Sequence, residues 1–176
     1  MILAVSTTSP LASAALFTTD GELLDHAERH APRNASQAIA ELATEWLARP
    51  DLTGFVADLG PGSFTGTKVG VVLAKTWAWA TGLKCGGISS FDLIAPTGLR
   101  CVPSRKGEYF VPGPDGIEVV LGWPEGALGY GDAQTHFPVA SRLAQVWDHI
   151  AWSSALELLP EYALPPSISQ PSRPLS

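Results

Sequence analysis

Apolar and polar positions alternate along the first hundred residues in a way that predicts an ordered series of elements. An apolar run at Ile2 to Val5 is followed by a second extended stretch, Ala12 to Phe17, and then by Asp20-Gly21. Asp-Gly between extended runs predicts a two-residue hairpin turn, because glycine accepts positive φ and a type I′ turn matches strand twist. A third strand over about Glu22 to Glu28 completes a meander. Beyond Pro32, Asn34 with Gln37 three residues later suggests a capped helix start, and Ala35, Ala38, Ile39, Leu42, Trp46 and Leu47 follow at helical spacing. Pro50 is expected to stop this helix. Gly54 to Leu59 reads as a fourth strand, the Gly60 to Gly66 loop leads into a second helix, and Gly82 suits its C-terminal cap. Cys85 to Ile88 is a short fifth strand, and Ser89 with Asp92 precedes a third helix toward Ala95.

After Pro96 the pattern weakens. Tyr109 to Val111 and Ile117 to Leu121 read as strands around Pro114-Asp115-Gly116, Gly122 to Phe137 as loop, and Val139 to Leu159 as helical. The proline-rich tail after Leu164 is not expected to form a regular element. No internal repeat is visible. By pattern alone this is a three-layer α/β protein.

Composition narrows the function classes. The chain has 176 residues, a formal net charge of −6, 16% charged and 45% apolar residues, and six tryptophans. No Lys/Arg cluster is denser than Arg100, Arg105 and Lys106, so the footprint of an independent nucleic-acid binder is missing. Two cysteines, Cys85 and Cys101, make neither a metal-site spacing nor a disulfide framework, which fits a reducing compartment. Met1 to Val5 runs into Ser-Thr-Thr-Ser without preceding positive charge, so it reads as a strand rather than a signal peptide. No apolar run reaches membrane-spanning length, and a soluble cytoplasmic protein is expected.

Chemistry is concentrated in Gly60-Pro-Gly-Ser-Phe-Thr-Gly66, continued by Thr67-Lys68-Val69-Gly70. Three glycines and a proline between a strand and a helix form a tight turn, and such a turn can also present backbone N–H groups to an anion. Both readings stay open, the turn weighing more. A Walker A loop is excluded, since Thr67 intervenes after the last glycine and Val69 follows Lys68. His26 and His30 have metal-site spacing for a helix but fall in a strand, where they lie about 13 Å apart, too far for one metal about 2 Å from each nitrogen. Ser63 has no neighbouring histidine to support a Ser–His pair. The second helix carries Gly70, Ala74 and Ala78 at four-residue spacing, with Val72, Trp77 and Ala80 elsewhere around it. A helix apolar on nearly all sides must be covered on nearly all sides, which favours an interface over a purely internal role.

The segment GPGSFTG with a basic residue two positions on resembles the signature of the TsaB (YeaZ) family of bacterial tRNA threonylcarbamoyladenosine formation. Other segments agree: ILAVSTTS, KCGGISSFDLIA, SRKGEYF and LLPEYALPP are similar to family segments in the same order, and the resemblance is good over residues 1–111 and faint beyond. It implies an actin-like ATPase (ASKHA) fold of two lobes, the first complete at 1–95 and the second reduced, with its tail, at 96–176. It implies a non-catalytic subunit that pairs with TsaD, the enzyme that transfers the threonylcarbamoyl group to N6 of adenine 37 in tRNAs reading ANN codons, with the ATPase TsaE assisting. No catalytic residue and no cofactor of its own are implied; ATP or ADP would sit at the heterodimer interface. Loop residues Gly60, Gly62, Ser63, Thr65, Gly66 and Lys68 become anion or nucleotide contacts, and tRNA is met only through the complex. The family pairs, as heterodimer or homodimer, through its first two helices, here Asn34 to Leu47 and Thr67 to Ala80. The interface residues expected are Ala35, Ile39, Leu42, Trp46, Gly70, Leu73, Ala74 and Trp77. The chain departs from the family pattern at Ser6, where an aspartate usually ends the first strand, and at Lys68, where the usual arginine has a planar fork that lysine lacks. Two other readings remain: a small nucleotide-dependent phosphotransferase or ATPase using the Gly60 to Gly66 loop, and a stand-alone homodimer that no longer serves TsaD.

Overall fold

A computed structural model describes residues 1–131 and 134–163; the proline-rich tail expected to be irregular lies outside the described residues. The first sheet is built from β1 (Ile2–Ser6), β2 (Leu11–Phe17), β3 (Leu23–His30), β4 (Gly54–Asp58), β5 (Lys84–Ile88) and β10 (Ala151–Ser153), in the order β10-β5-β4-β1-β2-β3. Strands β1, β4 and β5 run parallel, whereas β2, β3 and β10 are antiparallel to their neighbours. Every residue of β1 and β4 is buried, as expected for central strands covered on both faces. The two-residue side-chain period sends Leu3, Val5, Leu16, Phe55 and Ala57 to one face, under helices α1 (Ala35–Leu47) and α2 (Phe64–Thr81). It sends Ile2, Ala4, Ala15, Phe17 and Val56 to the other, against Leu93, Leu143, Val146 and Ile150.

Two expectations about the local chemistry are corrected. The β2–β3 connection is wider than two residues: the Thr18 amide bonds the Glu22 carbonyl at 2.9 Å, and Gly21 takes φ +98°. A Cβ there would lie 2.8 Å from the Trp147 ring, so both backbone and packing require glycine. Asn34 does occupy the cap position of α1, but its side chain makes no capping bond and its amide donates to the Gln37 side chain at 3.1 Å instead. Helix α1 ends at Leu47, before the Arg49-Pro50 pair, where the ring of Pro50 disfavours helical backbone in the preceding residue. At the far end of α2, Gly82 is left-handed at φ +70° as expected, and the Gly82 and Leu83 amides both reach the Ala78 carbonyl.

The short helix α3 (Ser90–Ile94) leads to a second sheet, β6 (Arg100–Pro103), β7 (Glu108–Gly113), β8 (Gly116–Leu121) and β9 (Leu128–Gly129), ordered β8-β7-β6-β9. The β7–β8 hairpin closes around Pro114-Asp115, as the pattern indicated; β6 carried no alternation and was not anticipated. The expected helix over Val139 to Leu159 does not form. Its place is taken by 3-10 turns at Ala140–Gln145 and Trp147–His149 and then by β10. Tertiary hydrogen bonds divert the backbone: Ala140 N–H donates to Ser13 Oγ at 2.9 Å, Val139 N–H to the Leu93 carbonyl, and the Arg142 guanidinium to the Leu93 and Phe137 carbonyls. The apolar spacing is real, since Val139, Ala140, Leu143, Val146 and Ile150 are all buried, but i, i+3 burial is met equally by 3-10 turns. Sheet membership therefore does not follow the division at residues 95 and 96, because β10 adds an edge to the first sheet and Leu158 enters the core beneath α1 and α2.

Candidate functional site

The Gly60 to Gly66 loop lies between the end of β4 and the start of α2, directly over the β1–β2 turn. Its glycines are explained by that contact. A Cβ on Gly62 would collide with the Thr8 carbonyl, one on Gly66 with the Thr7 carbonyl, and one on Gly70 would stand 2.7 Å from Thr7 Oγ1. The Thr7 hydroxyl donates to the Gly66 carbonyl at 2.7 Å, fastening the first turn of α2 to β1.

Several amides of the loop and of the first turn of α2 are engaged within the chain. Gly60 N–H donates to Asp58 Oδ1 at 2.9 Å, Ser63 N–H to the Thr8 carbonyl at 2.7 Å, and Gly66 N–H to Ser63 Oγ at 3.2 Å; Thr67 N–H reaches the Ser63 carbonyl. A phosphate cradle needs such N–H groups free and converging. The ammonium of Lys68 lies 4.2 Å from the Phe64 ring centroid, a cation–π contact on the outer side of the helix. Of the two readings of this loop, the geometry carries the structural turn, and it gives the phosphotransferase reading no support.

Beneath the loop is a buried polar cluster that sequence reasoning missed. Asp58 accepts from Ser6 Oγ and Thr8 Oγ1 at 2.6 Å each, from Ser90 Oγ at 2.5 Å and from the Gly60 amide. All four residues carrying the side chains are essentially inaccessible. Burial pushes the Asp58 carboxyl above the usual carboxylate range, while the hydroxyl and amide donors pull the other way. Ser6 thus has a positive role where the resemblance emphasised a missing aspartate: a carboxylate at position 6 would face that of Asp58. The available signal was Asp58 itself, the single acid closing an apolar strand just before the glycine loop.

Outside the loop, a cleft of about 740 Å³ separates Pro61, Gly62 and Ser63 from Arg105, Phe110 and Tyr130 of the second layer. Tyr130 donates to the Thr8 carbonyl at 3.2 Å and closes the floor. Glu161 borders the cleft, its carboxyl pushed up by partial burial and by the neighbouring Asp58. Gly62 and Ser63 thus line the cleft, whereas Gly60, Thr65, Gly66 and Lys68 are not among its lining residues.

The helix faces divide just as clearly. Of the eight expected interface residues, Ile39, Trp46, Gly70 and Ala74 are buried in the chain's own core and can only support a surface; Ala35, Leu42, Leu73 and Trp77 are half-buried. What α2 turns outward is a different stripe, Phe64, Lys68, Val72, Lys75 and Trp79, at spacings of four and three residues. Trp79 is 75% exposed. Helix α1 has no such stripe; its outward positions include Gln37, Glu41, Thr44 and Glu45. His26 and His30 lie on the exposed edge strand β3, as the pattern required, and no three His, Cys, Asp or Glu side chains among the described residues gather as a metal site.

Residues 24–103 match a family model described as TsaD, tRNA N6-adenosine threonylcarbamoyltransferase. The tRNA threonylcarbamoyladenosine biosynthesis protein TsaB of Bacillus subtilis is 33% identical over 101 residues, covering 55% of this chain and 44% of that protein. An uncharacterised protein of Mycobacterium leprae is 30% identical over 132 residues, 68% of this chain and 37% of its own length. The chain thus spans less than half the length of these curated relatives. Among solved structures, YeaZ from Pseudomonas aeruginosa superposes with a TM-score of 0.68 at 16% identity, covering 92% of this chain and 98% of that one. A second structure, described as an uncharacterised protein with similarity to peptidase YeaZ from the same organism, gives 0.71 at 18%. At such identities the superpositions establish the shared actin-like fold.

Proposed function

This chain belongs to the TsaB (YeaZ) family, and from that premise we propose that it is a non-catalytic subunit of tRNA threonylcarbamoyladenosine formation that pairs with TsaD. In this reading TsaD performs the transfer to N6 of adenine 37, TsaE joins as a third component, and tRNA is gripped by the partner. One observation supports the proposal: several amides of the loop are bonded within the chain, while the helix that follows it turns Phe64, Val72 and Trp79 outward, all three exposed among the described residues. The chemistry at the loop holds the fold, and the surface beside it is what remains for recognition. The net charge of −6 agrees with a subunit that leaves the polyanion to another protein. No helix among the described residues is long and apolar enough to cross a membrane, and we place the assembly in the cytoplasm.

The docking face we assign consists of the outward stripe of α2 together with the half-buried Ala35, Leu42, Leu73 and Trp77. A homodimer through the same face would compete with TsaD. Any ATP or ADP would bind at the seam of the heterodimer rather than on this chain alone. The test combines the purified chain with TsaD and TsaE of its own organism, tRNA and the threonylcarbamoyl donor system, and quantifies modified adenosine. Modification that depends on the chain, with no ATP turnover by the chain alone, is the expected result; modification independent of it would refute the assignment.

A further inference from the structure

We propose that residues 154–162 form the second half of the docking face, and that Lys68 and Lys75 fit it to a partner helix whose apolar stripe is flanked by carboxylates. This inference rests on the subunit reading above, and it concerns a segment distant in sequence from the two helices through which that reading operates.

The segment runs back along α2. The Lys75 ammonium donates to the Leu156 carbonyl at 3.4 Å near its start, and the Tyr162 and Phe64 rings stack 5.0 Å apart near its end. Between these points Leu158 is buried in the core under the helices, which turns its neighbours outward. Leu156 is 81% exposed and Leu159 66%, and on α2 Val72 is 57% exposed. Exposed leucines are ordinary when scattered, but Leu156 and Leu159 lie on a segment joined to α2 at both ends, through Lys75 and through the Tyr162–Phe64 stack, and the exposed apolar side chains of the two make the band we assign.

The band is held in shape before any partner arrives. The Glu157 carboxylate accepts from the Ser154 amide at 3.2 Å and its hydroxyl at 2.8 Å, while the Glu157 and Leu158 amides return to the Ser154 carbonyl. Farther on, the Glu161 amide donates to the Leu59 carbonyl at 2.7 Å. A surface whose leucines are fixed by the backbone around them loses little entropy on binding.

Charge commits the occupant. Neither Lys68 nor Lys75 forms an ion pair with a carboxylate among the described residues. Of the two acids in the segment, Glu157 is turned onto Ser154 and Glu161 lies toward Asp58. In a protein of net charge −6, this leaves two cations standing in an apolar band with no acid of their own. A partner that buries them supplies the acids, and steering by opposite charge then raises the association rate.

The experiment measures affinity and association rate for TsaD with the wild-type chain, a Leu156→Ser/Leu159→Ser double variant, a Lys68→Gln/Lys75→Gln double variant, and Leu121→Ser as a control. Leu121 is 87% exposed but sits on β8 of the other sheet. Expected are an affinity loss of tenfold or more for the leucine pair, a slower and less salt-sensitive association for the lysine pair, and no change for the control, all with unchanged thermal unfolding. Wild-type affinity in the leucine pair overturns the inference while leaving the subunit reading intact. Absence of wild-type binding to TsaD overturns the reading and the inference with it. A leucine pair that loses self-association but keeps its TsaD affinity assigns the band to a second copy of the chain, and also overturns the inference.

Discussion

Helices α1 and α2 lie side by side on the same sheet, yet they solve different problems. In helix α1, Ala38, Ile39, Ala43 and Trp46 are buried, and the positions between them are polar or small apart from the half-buried Leu42. Its outward positions carry no large exposed apolar residue. Helix α2 packs inward through Gly66, Gly70, Ala74 and Ala78 together with Thr67 and Val71, and a Cβ added at Gly66 or Gly70 would meet Thr7 just beyond β1. Three of its larger apolar side chains, Phe64, Val72 and Trp79, are left on the outside. When small residues make up much of the inner side of a helix and large apolar ones stand on the outer, the pattern is the one expected of a helix with a second neighbour.

The largest effect expected of a single substitution lies under the N-terminus of α2. Asp58→Ala removes the acceptor of three buried hydroxyls and one amide. Leaving such donors unpaired costs on the order of 4 kcal/mol, well above an ordinary core truncation of small size. Chemical denaturation measures it, and a loss below about 1 kcal/mol would mean that the cluster does not hold the loop. The pH dependence has a defined sign. Because burial raises the folded-state value of Asp58 above its ordinary 3.8, its contribution is fully present at and below that pH and declines as pH rises through the raised value. Asp58→Asn removes this titration, so wild-type stability should fall relative to the variant as pH increases through that window.

The inner and outer sides of the two helices give the next contrast. Ile39→Ala, on the inner side of α1, truncates a fully buried residue and should cost about 3 kcal/mol. Trp79→Ser, on the outer side of α2, should leave unfolding unchanged and weaken TsaD binding at least tenfold, since aromatic residues at the centre of an interface carry much of its energy. If Trp79→Ser instead destabilises the isolated chain and spares binding, the outward stripe is covered by the chain itself and the contrast between the helices is lost.

How far these features could be read from the sequence depends on how local their causes are. Strands β1 to β5 and all three helices follow from periodicities and caps contained within each segment. The 3-10 turns after Val139 do not, because the groups that divert that backbone, Ser13 and Leu93, are 127 and 46 or more residues away. Strand β6 owes its existence to pairing with β7 and β9 rather than to any alternation in Arg-Cys-Val-Pro. The loop was recognisable as a motif, but the reason for its glycines is the Thr7 and Thr8 backbone, which no pattern within the loop discloses. Asp58 escaped notice for the same reason, its three hydroxyl donors being drawn from three other elements. The outward stripe of α2 was legible in its spacing, and was passed over because the Gly70, Ala74, Ala78 ridge is the more conspicuous pattern.

The smallest expected effect tests the outer side of α1. Glu41 accepts from the Gln37 side-chain amide at 2.8 Å and pairs with Arg29 of β3, so it occupies the side of α1 that faces the sheet edge. The Gln37 hydrogen bond, and then Arg29, hold its carboxyl below the ordinary 4.5; the stabilisation this gives is present above that pH and fades as pH falls through the lowered value. Both partners are solvent-exposed, where water and salt screen the pair, so Glu41→Gln should leave the melting temperature at neutral pH unchanged within measurement. It should also leave TsaD affinity unchanged, because the docking face begins on the opposite flank of α1 and extends over α2. Equal losses of affinity for Glu41→Gln and Trp79→Ser would place both helices in the seam to the same degree, and the distinction drawn from their inner residues would then describe packing alone.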